Sequence, residues 1–484
     1  MKTMEQIEFF PFDNPSNIYG LATIKAGKTR VLVKTLEKQI FSIEYSYEEK
    51  RIVCNQIHFA YIPNGADLIS IDAYARNKSN DPVVGITFFK NYKESDSNEF
   101  RKNIVANKNS IISDSLITED DSMRINANQN IFQTSNRNVD PSSTTTSNFM
   151  SIHSHQQSSN VTEKIFNHYY LNIYSSLTSS NRFDFNQIAQ DCQTFELDFV
   201  PYHLYHTSLF DENGNEEILW LLSGSDCLVH IFREDIKKQC FYKEKNDLFP
   251  ELNQFESIVI WMDIFNYKEN NKYRRFSAVG CENGNFHLFS IELPNQNNPI
   301  IVESWKNNFD GPVLSVKFFK DLTYQSELTE SLKHRVETSD EKCHQPSSEI
   351  NLLVMYSFEN PIVYRNVKEN GLLMKENLPF PKNFIDIYLA NHIDDLNFDH
   401  FNEILIGSYG KKITFFSYNK SKKKYFIEKV LKTSNPIMAI AYIDLIGDGP
   451  KELIVVTTKG IVIYRHQIET IVTTLGKKLA KLLY

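Results

Sequence analysis

The sequence predicts an all-β chain: a single β-propeller of about seven blades, with two disordered loop insertions and a short C-terminal helix. Three observations carry this reading. Short apolar and aromatic strands alternate with polar turns along most of the 484 residues. Helical periodicity is confined to the end of the chain. One strand–turn–strand plan recurs five times.

In chain order, N-terminal blades are expected over 1–105, with strands at 29–35, 39–45, 68–74 and 83–90. Their Val, Ile, Phe and Tyr content suits pleated, half-buried positions. Residues 106–160 break the pattern. They are rich in Asn, Ser, Thr and Gln, so they bury too little apolar surface to offset their ordering entropy and read as a disordered insertion. Central blades follow over 161–323, with strands at 169–175, 195–205, 218–223, 228–233, 276–280, 286–291 and 313–319. A second, polar insertion covers 324–349 and holds a helix-periodic stretch, ELTESLKHRVE. Both insertions leave and re-enter β-rich sequence, as loops do. C-terminal blades occupy 350–465, with a strand at 352–357, and an amphipathic helix occupies 466–484.

The repeat separates a propeller from a sandwich or barrel. Five units share an apolar strand, a tight polar turn and a second strand ending in aromatics: LWLLSGSDCLVHIF, FSAVGCENGNFHLF, LLVMYSFENPIVYR, EILIGSYGKKITFF and ELIVVTTKGIVIYR. Their turns lie near Gly224, Glu282, Glu359, Gly410 and Gly460. A period of about 40–50 residues is that of a four-stranded blade. LATIKAGKTRVLVKT, near the N-terminus, has the same shape.

Two acidic loops precede strands in the last blades. One carries Asp395, Asn397, Asp399 and Glu403; the other carries Asp444, Asp448 and Glu452. Alternating oxygen donors of this kind resemble the FG-GAP loops of integrin-type propellers, which hold calcium. The alternative is a structural strut that caps backbone amides. Ile446 stands at a ligand position of the second loop, and His400 replaces a glycine in the first. Asp448 and Gly449 read as a tight turn, the carboxylate accepting backbone N–H bonds and the glycine supplying positive φ. No cofactor is expected, with calcium as the one candidate ligand.

In the C-terminal helix, Ile468, Ile471, Val472, Leu475, Leu479, Leu482 and Leu483 recur at spacings of three and four. Lys477, Lys478 and Lys481 give it a positive end. Its stripe can cover its own propeller, a partner or a membrane surface. Ile471, Leu475, Leu479 and Leu482 are the partner-binding candidates.

Composition excludes several function classes. The formal net charge is -8, and no basic stripe offers the footprint nucleic acid needs. The short run at 420–424 reads as a solvated hairpin turn. Cys54, Cys192, Cys227, Cys240, Cys281 and Cys343 form no C-x-x-C pair, which fits reduced thiols in the cytoplasm. No secretory leader or transmembrane run is expected. G-x-S-x-G, H-E-x-x-H and P-loop motifs are absent, so no enzyme is expected. His153 and His155 fall in the first insertion. His203 and His206, three apart on a strand, point to opposite faces and disfavour a shared metal. Trp220, Trp261 and Trp305 read as blade-packing residues.

An ordered set of segments resembles the kaptin family. It comprises SNIYGL from Ser16, FAYIP from Phe59, LISIDAY, VVGITF from Val83, LLSGSD from Leu221, NDLFPE from Asn246, DGP from Asp310, PIVYR from Pro361 and DLIGDG from Asp444. The resemblance implies a β-propeller subunit of the KICSTOR complex, without catalytic activity. The partners it implies include a second FG-GAP-type propeller and a large scaffold subunit. It also implies a cytoplasmic protein held at the lysosomal surface through these partners. There it would support amino-acid-dependent restraint of TOR kinase signalling, by recruiting a Rag-directed GTPase-activating complex. F-actin binding at actin-rich structures is the alternative. The insertion from 106 departs from the family pattern.

Overall fold

A computed structural model describes residues 4–76, 79–93, 165–175, 188–210, 216–269, 272–294, 298–321, 349–381, 386–397, 401–473 and 476. Both expected insertions fall almost wholly outside these residues. One compact unit comprises residues 1–90 and 168–484. A second comprises 91–167, of which only the ends of two strands are described.

The described chain folds into seven four-stranded antiparallel sheets, a seven-bladed β-propeller. Blade 1 holds β1 (Leu21–Ala26), β2 (Lys28–Lys34), β3 (Ile40–Ser46) and β4 (Arg51–Ile57). Blade 2 holds β5 (Asp67–Ala75), β6 (Pro82–Lys93), β7 (Ile165–Ser175) and β8 (Cys192–Leu197). Blade 3 runs from β9 (Pro201–Phe210) through β10 (Glu216–Gly224) and β11 (Val229–Asp235) to β12 (Cys240–Glu244). Blade 4 runs through β13 (Val259–Glu269), β14 (Lys272–Cys281), β15 (Asn285–Leu293) and β16 (Ile300–Asn308). Blade 5 runs through β17 (Val313–Asp321), β18 (Glu349–Tyr356), β19 (Ile362–Tyr364) and β20 (Lys375–Asn377). Blade 6 runs through β21 (Tyr388–Asp394), β22 (Glu403–Ser408), β23 (Lys412–Asn419) and β24 (Lys424–Lys432). Blade 7 combines β25 (Ile437–Ile443), β26 (Glu452–Thr457) and β27 (Gly460–His466) with the N-terminal strand Met4–Pro11. That strand pairs antiparallel with β27, from Met4 opposite His466 to Pro11 opposite Gly460. Backbone hydrogen bonds between the two ends of the described chain thus close the ring.

The first strand of each blade lies against the first strand of the next, and β25 returns to β1. In blades 2 to 7 the pairing of this strand with the second slips near its start, as at Leu68/Ser70 and Val259/Trp261. Bulges of this kind bend and twist a strand.

The core lies between blades. Trp220 is wholly buried and packs with Tyr74 and Val83 of blade 2 and with Leu204 and Leu222 of blade 3. Trp305, half-buried, packs against the cluster shared by blades 4 and 5. Stacking on a neighbour is what covers the two faces of each four-stranded sheet.

Buried charges are paired or hydrogen-bonded, as burial requires. Lys34 donates to the Leu68 carbonyl at 2.8 Å, tying blade 1 to blade 2, and burial pulls its pKa down to about 7. Arg275 and Glu251 form an ion pair with both side chains wholly buried, at 2.8 Å. Arg275 also donates to the Leu248 carbonyl at 2.7 Å and covers the Phe249 ring. The NDLFPE segment is therefore the clasp between blades 3 and 4.

Two expectations need correction. Residues 195–205 were expected as one strand, but the chain turns at 198–200 to pass from blade 2 to blade 3. The apolar alternation runs through this crossover because Phe199 is itself buried. LATIKAGKTRVLVKT is the first and second strand of its blade, whereas the five repeated units are second and third strands. Gly27, with φ 72°, makes its turn, so an ordinary hairpin mimics the repeat one strand out of phase.

Candidate functional site

Three places hold the candidate functional residues: the acidic loops of blades 6 and 7, the C-terminal helical turn, and the first strands of blades 2 to 5.

Each acidic loop joins the first strand of its blade to the second, and each ends on a buried glutamate. In blade 6, Glu403 Oε2 accepts the N–H groups of Leu396 and Asn397 at 2.9 and 3.3 Å. Its Oε1 accepts from Asn397 Nδ2 at 2.7 Å and from Ser417 Oγ at 3.3 Å. Asp395 lies beside this frame, and Asp399 lies outside the described residues. In blade 7, Glu452 Oε2 accepts the Leu445 N–H at 2.9 Å. Asp444 caps the turn, its two oxygens accepting the Gly447 and Gly449 N–H groups at 2.6 and 3.0 Å. Those glycines have φ of 83° and 99°. The backbone-capping role expected of Asp448 therefore belongs to Asp444. Asp448 instead pairs with Arg465 on β27.

Burial is the main force on Glu452 and lifts its carboxyl to about 7, against smaller pulls from backbone N–H groups and Arg465. Among the described residues, no group of three or more His, Cys, Asp or Glu side chains is arranged to hold a metal ion.

Residues 468–473 are helical. Ile471 is buried there, while Leu475, Leu479 and Leu482 lie outside the described residues.

The first strands of blades 2 to 5 carry a series that sequence reading missed. Asp72 of blade 2 accepts the N–H of His206 in blade 3 at 2.7 Å. Tyr205, the preceding residue in blade 3, accepts the N–H of Ile264 in blade 4 through its hydroxyl at 3.2 Å. Asp263, again the preceding residue, accepts the N–H of Phe318 in blade 5 at 2.7 Å. Lys317 then reaches back to Asp263 at 2.9 Å. The legible signal was a carboxylate inside an apolar strand, as in LISIDAY and VIWMDIF.

The two histidines of this region do different things. His203 stacks on Trp261, with centroids 4.4 Å apart, and on Tyr19; burial pulls its pKa down to about 3. His206 Nδ1 lies 2.7 Å from Asp72. Burial lowers its pKa, but the Asp72 charge and hydrogen bond outweigh burial and leave it raised. These groups bind one blade to the next.

Comparison with known proteins agrees with the geometry. A family model described as KICSTOR complex protein kaptin matches residues 4–125 and 141–476. KICSTOR complex protein kaptin of Mus musculus is 26% identical over 471 residues, covering 95% of this chain and 87% of that protein. A chain from the crystal structure of BBS1N in complex with ARL6DN, soaked with lead, superposes with a TM-score of 0.50 at 8% identity, over 96% of this chain and 97% of that one. This last likeness is one of fold. With the family model matched along most of the propeller, the chain belongs to the KICSTOR complex protein kaptin family.

Proposed function

We propose that the chain is a non-catalytic scaffold subunit of a KICSTOR-like complex. Its task there is to support amino-acid-dependent negative regulation of TOR kinase signalling at the lysosomal surface, through recruitment of a Rag-directed GTPase-activating complex. Family membership supports the complex. The observation that supports a scaffold role is the series of blade junctions, where Asp72, Tyr205 and Asp263 accept backbone N–H groups of the next blade. Among the described residues, no helix is long and apolar enough to cross a membrane, so attachment to a membrane through partners is consistent with the fold.

The test is affinity purification of the tagged, full-length chain from its native cells, followed by mass spectrometry. The expected result is stoichiometric recovery of a large scaffold subunit and a second FG-GAP-type propeller. Recovery of actin as the sole stoichiometric partner would replace this reading with the cytoskeletal one. Turnover of a metabolite by the purified chain would overturn both.

A further inference from the structure

Blade 6 ends in a stretch whose charge runs against that of the chain. From 411 to 432 the sequence holds eight lysines and one carboxylate, Glu428, in a chain of net charge -8. The stretch is β23, its hairpin turn and β24, the last strand of its sheet. Lys411, Lys422, Lys423, Lys424 and Lys432 are exposed. Among the described residues, none of them has an ion-pair partner. Apolar side chains are exposed among them, Phe426 and Val430 each at 44%.

The backbone of β24 fixes where its donors point. In an antiparallel pair, successive N–H groups alternate between the partner strand and the outside. At one end, the Tyr425 N–H donates to Glu376 Oε1 on β20 of blade 5 at 2.5 Å, so it faces away from β23. At the other end, the Thr433 N–H donates to the Lys411 carbonyl at 2.9 Å, so it faces inward. Counting from both ends to the bulge at Glu428 turns the N–H groups of Ile427, Val430 and Lys432 outward. No further strand of the sheet meets them. Cross-strand partners share a face, so the register sets Lys424, Phe426 and Lys429 on one face and Val430 and Lys432 on the other.

Charge and backbone select the occupant together. An open strand edge is a template for another extended chain, and lysines along it keep like edges apart. A second copy of β24 would set lysine against lysine, whereas carboxylates opposite lysines favour a strand pair. A lipid surface would meet one face of the sheet, and Phe426 and Val430 lie on opposite faces. Glu376 shows the pairing on a small scale, a carboxylate accepting an outward N–H of this edge.

We propose that the rim of blade 6 binds an extended acidic segment of another protein subunit, which adds to β24 as a fifth strand. The proposal rests on the reading of the chain as a binding subunit. It gives the lysine run at 420–424, read from sequence as a solvated turn, a part in recognition as the extension of a positive edge.

The experiment uses the full-length chain and three fluorescein-labelled peptides. One alternates glutamate with valine, and the second alternates lysine with valine. The third is the first with its valines replaced by proline, which keeps the charge and cannot pair as a strand. Fluorescence anisotropy should show the glutamate–valine peptide binding at least about tenfold tighter than either of the others. Lys424→Glu with Lys432→Glu should weaken that binding by at least about tenfold and leave the thermal midpoint unchanged. Val430→Pro, which removes an outward N–H and no bond to β23, should weaken it about threefold or more. Equal binding of the first and third peptides would show that charge alone holds them and overturn the proposal. Equal binding of the first and second, or none of any, would also overturn it. So would vesicles of phosphatidylserine and phosphatidylcholine in equal parts that sediment wild type and not the lysine variant, because that assigns the edge to a lipid surface. A dimer in sedimentation velocity that the lysine variant dissolves would assign the edge to a second copy and overturn the proposal too. In the affinity purification, the lysine variant should lose one subunit that wild type recovers. Recovery of the same subunits by both would overturn the edge as a partner site and leave the complex standing. Recovery of no subunit by wild type would count against the complex and leave the peptide result intact.

Discussion

The acidic loops of blades 6 and 7 have one plan and two electrostatic outcomes. Both end on a buried glutamate that accepts a backbone N–H from the residue seven positions earlier, Leu396 or Leu445. In blade 6 the neutral donors Asn397 and Ser417 serve the other oxygen. In blade 7 the corresponding positions are Ile446 and Arg465, on the evidence of the strand register. Ile446 offers no side-chain donor. Arg465 Nε stands 3.3 Å from Glu452 Oε1, but neither of these two buried atoms makes a hydrogen bond, and the guanidinium is drawn off by Asp448. Two differences, Ile446 for Asn397 and Arg465 for Ser417, thus separate a buried carboxylate held by dipoles from one left to lean on a shared charge.

Glu403→Ala should break the better-built loop and give the largest effect. It leaves the Leu396 and Asn397 N–H groups and the Asn397 amide without their acceptor. Each buried donor left unmade costs about 1–3 kcal/mol, so a loss of roughly 3–4 kcal/mol is expected. Urea unfolding of the purified chain measures it; a loss below about 1 kcal/mol would show that the network does not hold the loop.

Glu452→Gln should act through pH. The folded-state pKa is raised from 4.5 to about 7 by burial, so the folded chain binds this proton more tightly than the unfolded chain. The associated stability is fully present below about pH 4.5 and is lost as pH rises through about 7. At 1.36 kcal/mol per unit, wild type should lose roughly 2–3 kcal/mol relative to the variant between about pH 4.5 and 8. Parallel stability–pH curves for the two proteins would count against an elevated Glu452 pKa.

How far the sequence reaches is visible in these same loops. Repeated strand–turn–strand units made the propeller legible because each blade buries both faces against its neighbours and must repeat the same apolar pattern. The glutamates were legible as members of an acidic frame. Arg465 was not, because it belongs to the third strand of the blade and meets Glu452 only through register. Asp72, Tyr205 and Asp263 escaped for a similar reason: each serves a backbone N–H in the next blade, a partner that no local spacing reveals. The blade 2 to blade 3 crossover was hidden because Phe199 keeps the apolar alternation running through a turn.

Ile446→Asn should convert the blade 7 loop toward the blade 6 arrangement. An amide at 446 can donate to Glu452 Oε1, as Asn397 does to Glu403. Such a bond favours the carboxylate form, so the Glu452 midpoint should fall, and stability near pH 8 should rise by about 1 kcal/mol. The pH titration that follows Glu452→Gln also reads this variant. An unchanged midpoint would mean that the two loops differ in backbone geometry and not in their donors.

Asp448→Ala should have the smallest effect and also tests for a cation. The Asp448 side chain is 44% exposed and paired with Arg465, and an exposed pair contributes about 0–1 kcal/mol. Removing it takes away a negative charge that raises the Glu452 pKa and frees Arg465 to turn toward Glu452, so the Glu452 midpoint should fall slightly. Calcium binding would demand more. A calcium ion takes about 6–8 oxygens, whereas Asp444 already serves two backbone N–H groups and Asp448 serves Arg465. The ion would have to displace those bonds, and Ile446 offers no side-chain oxygen in return. Wild type should therefore melt at the same temperature in chelator and in millimolar calcium, and Asp448→Ala should show the same small shift in both. If calcium raises the wild-type midpoint by several degrees and Asp448→Ala removes that rise, the blade 7 loop is a cation site and its carboxylates are not struts.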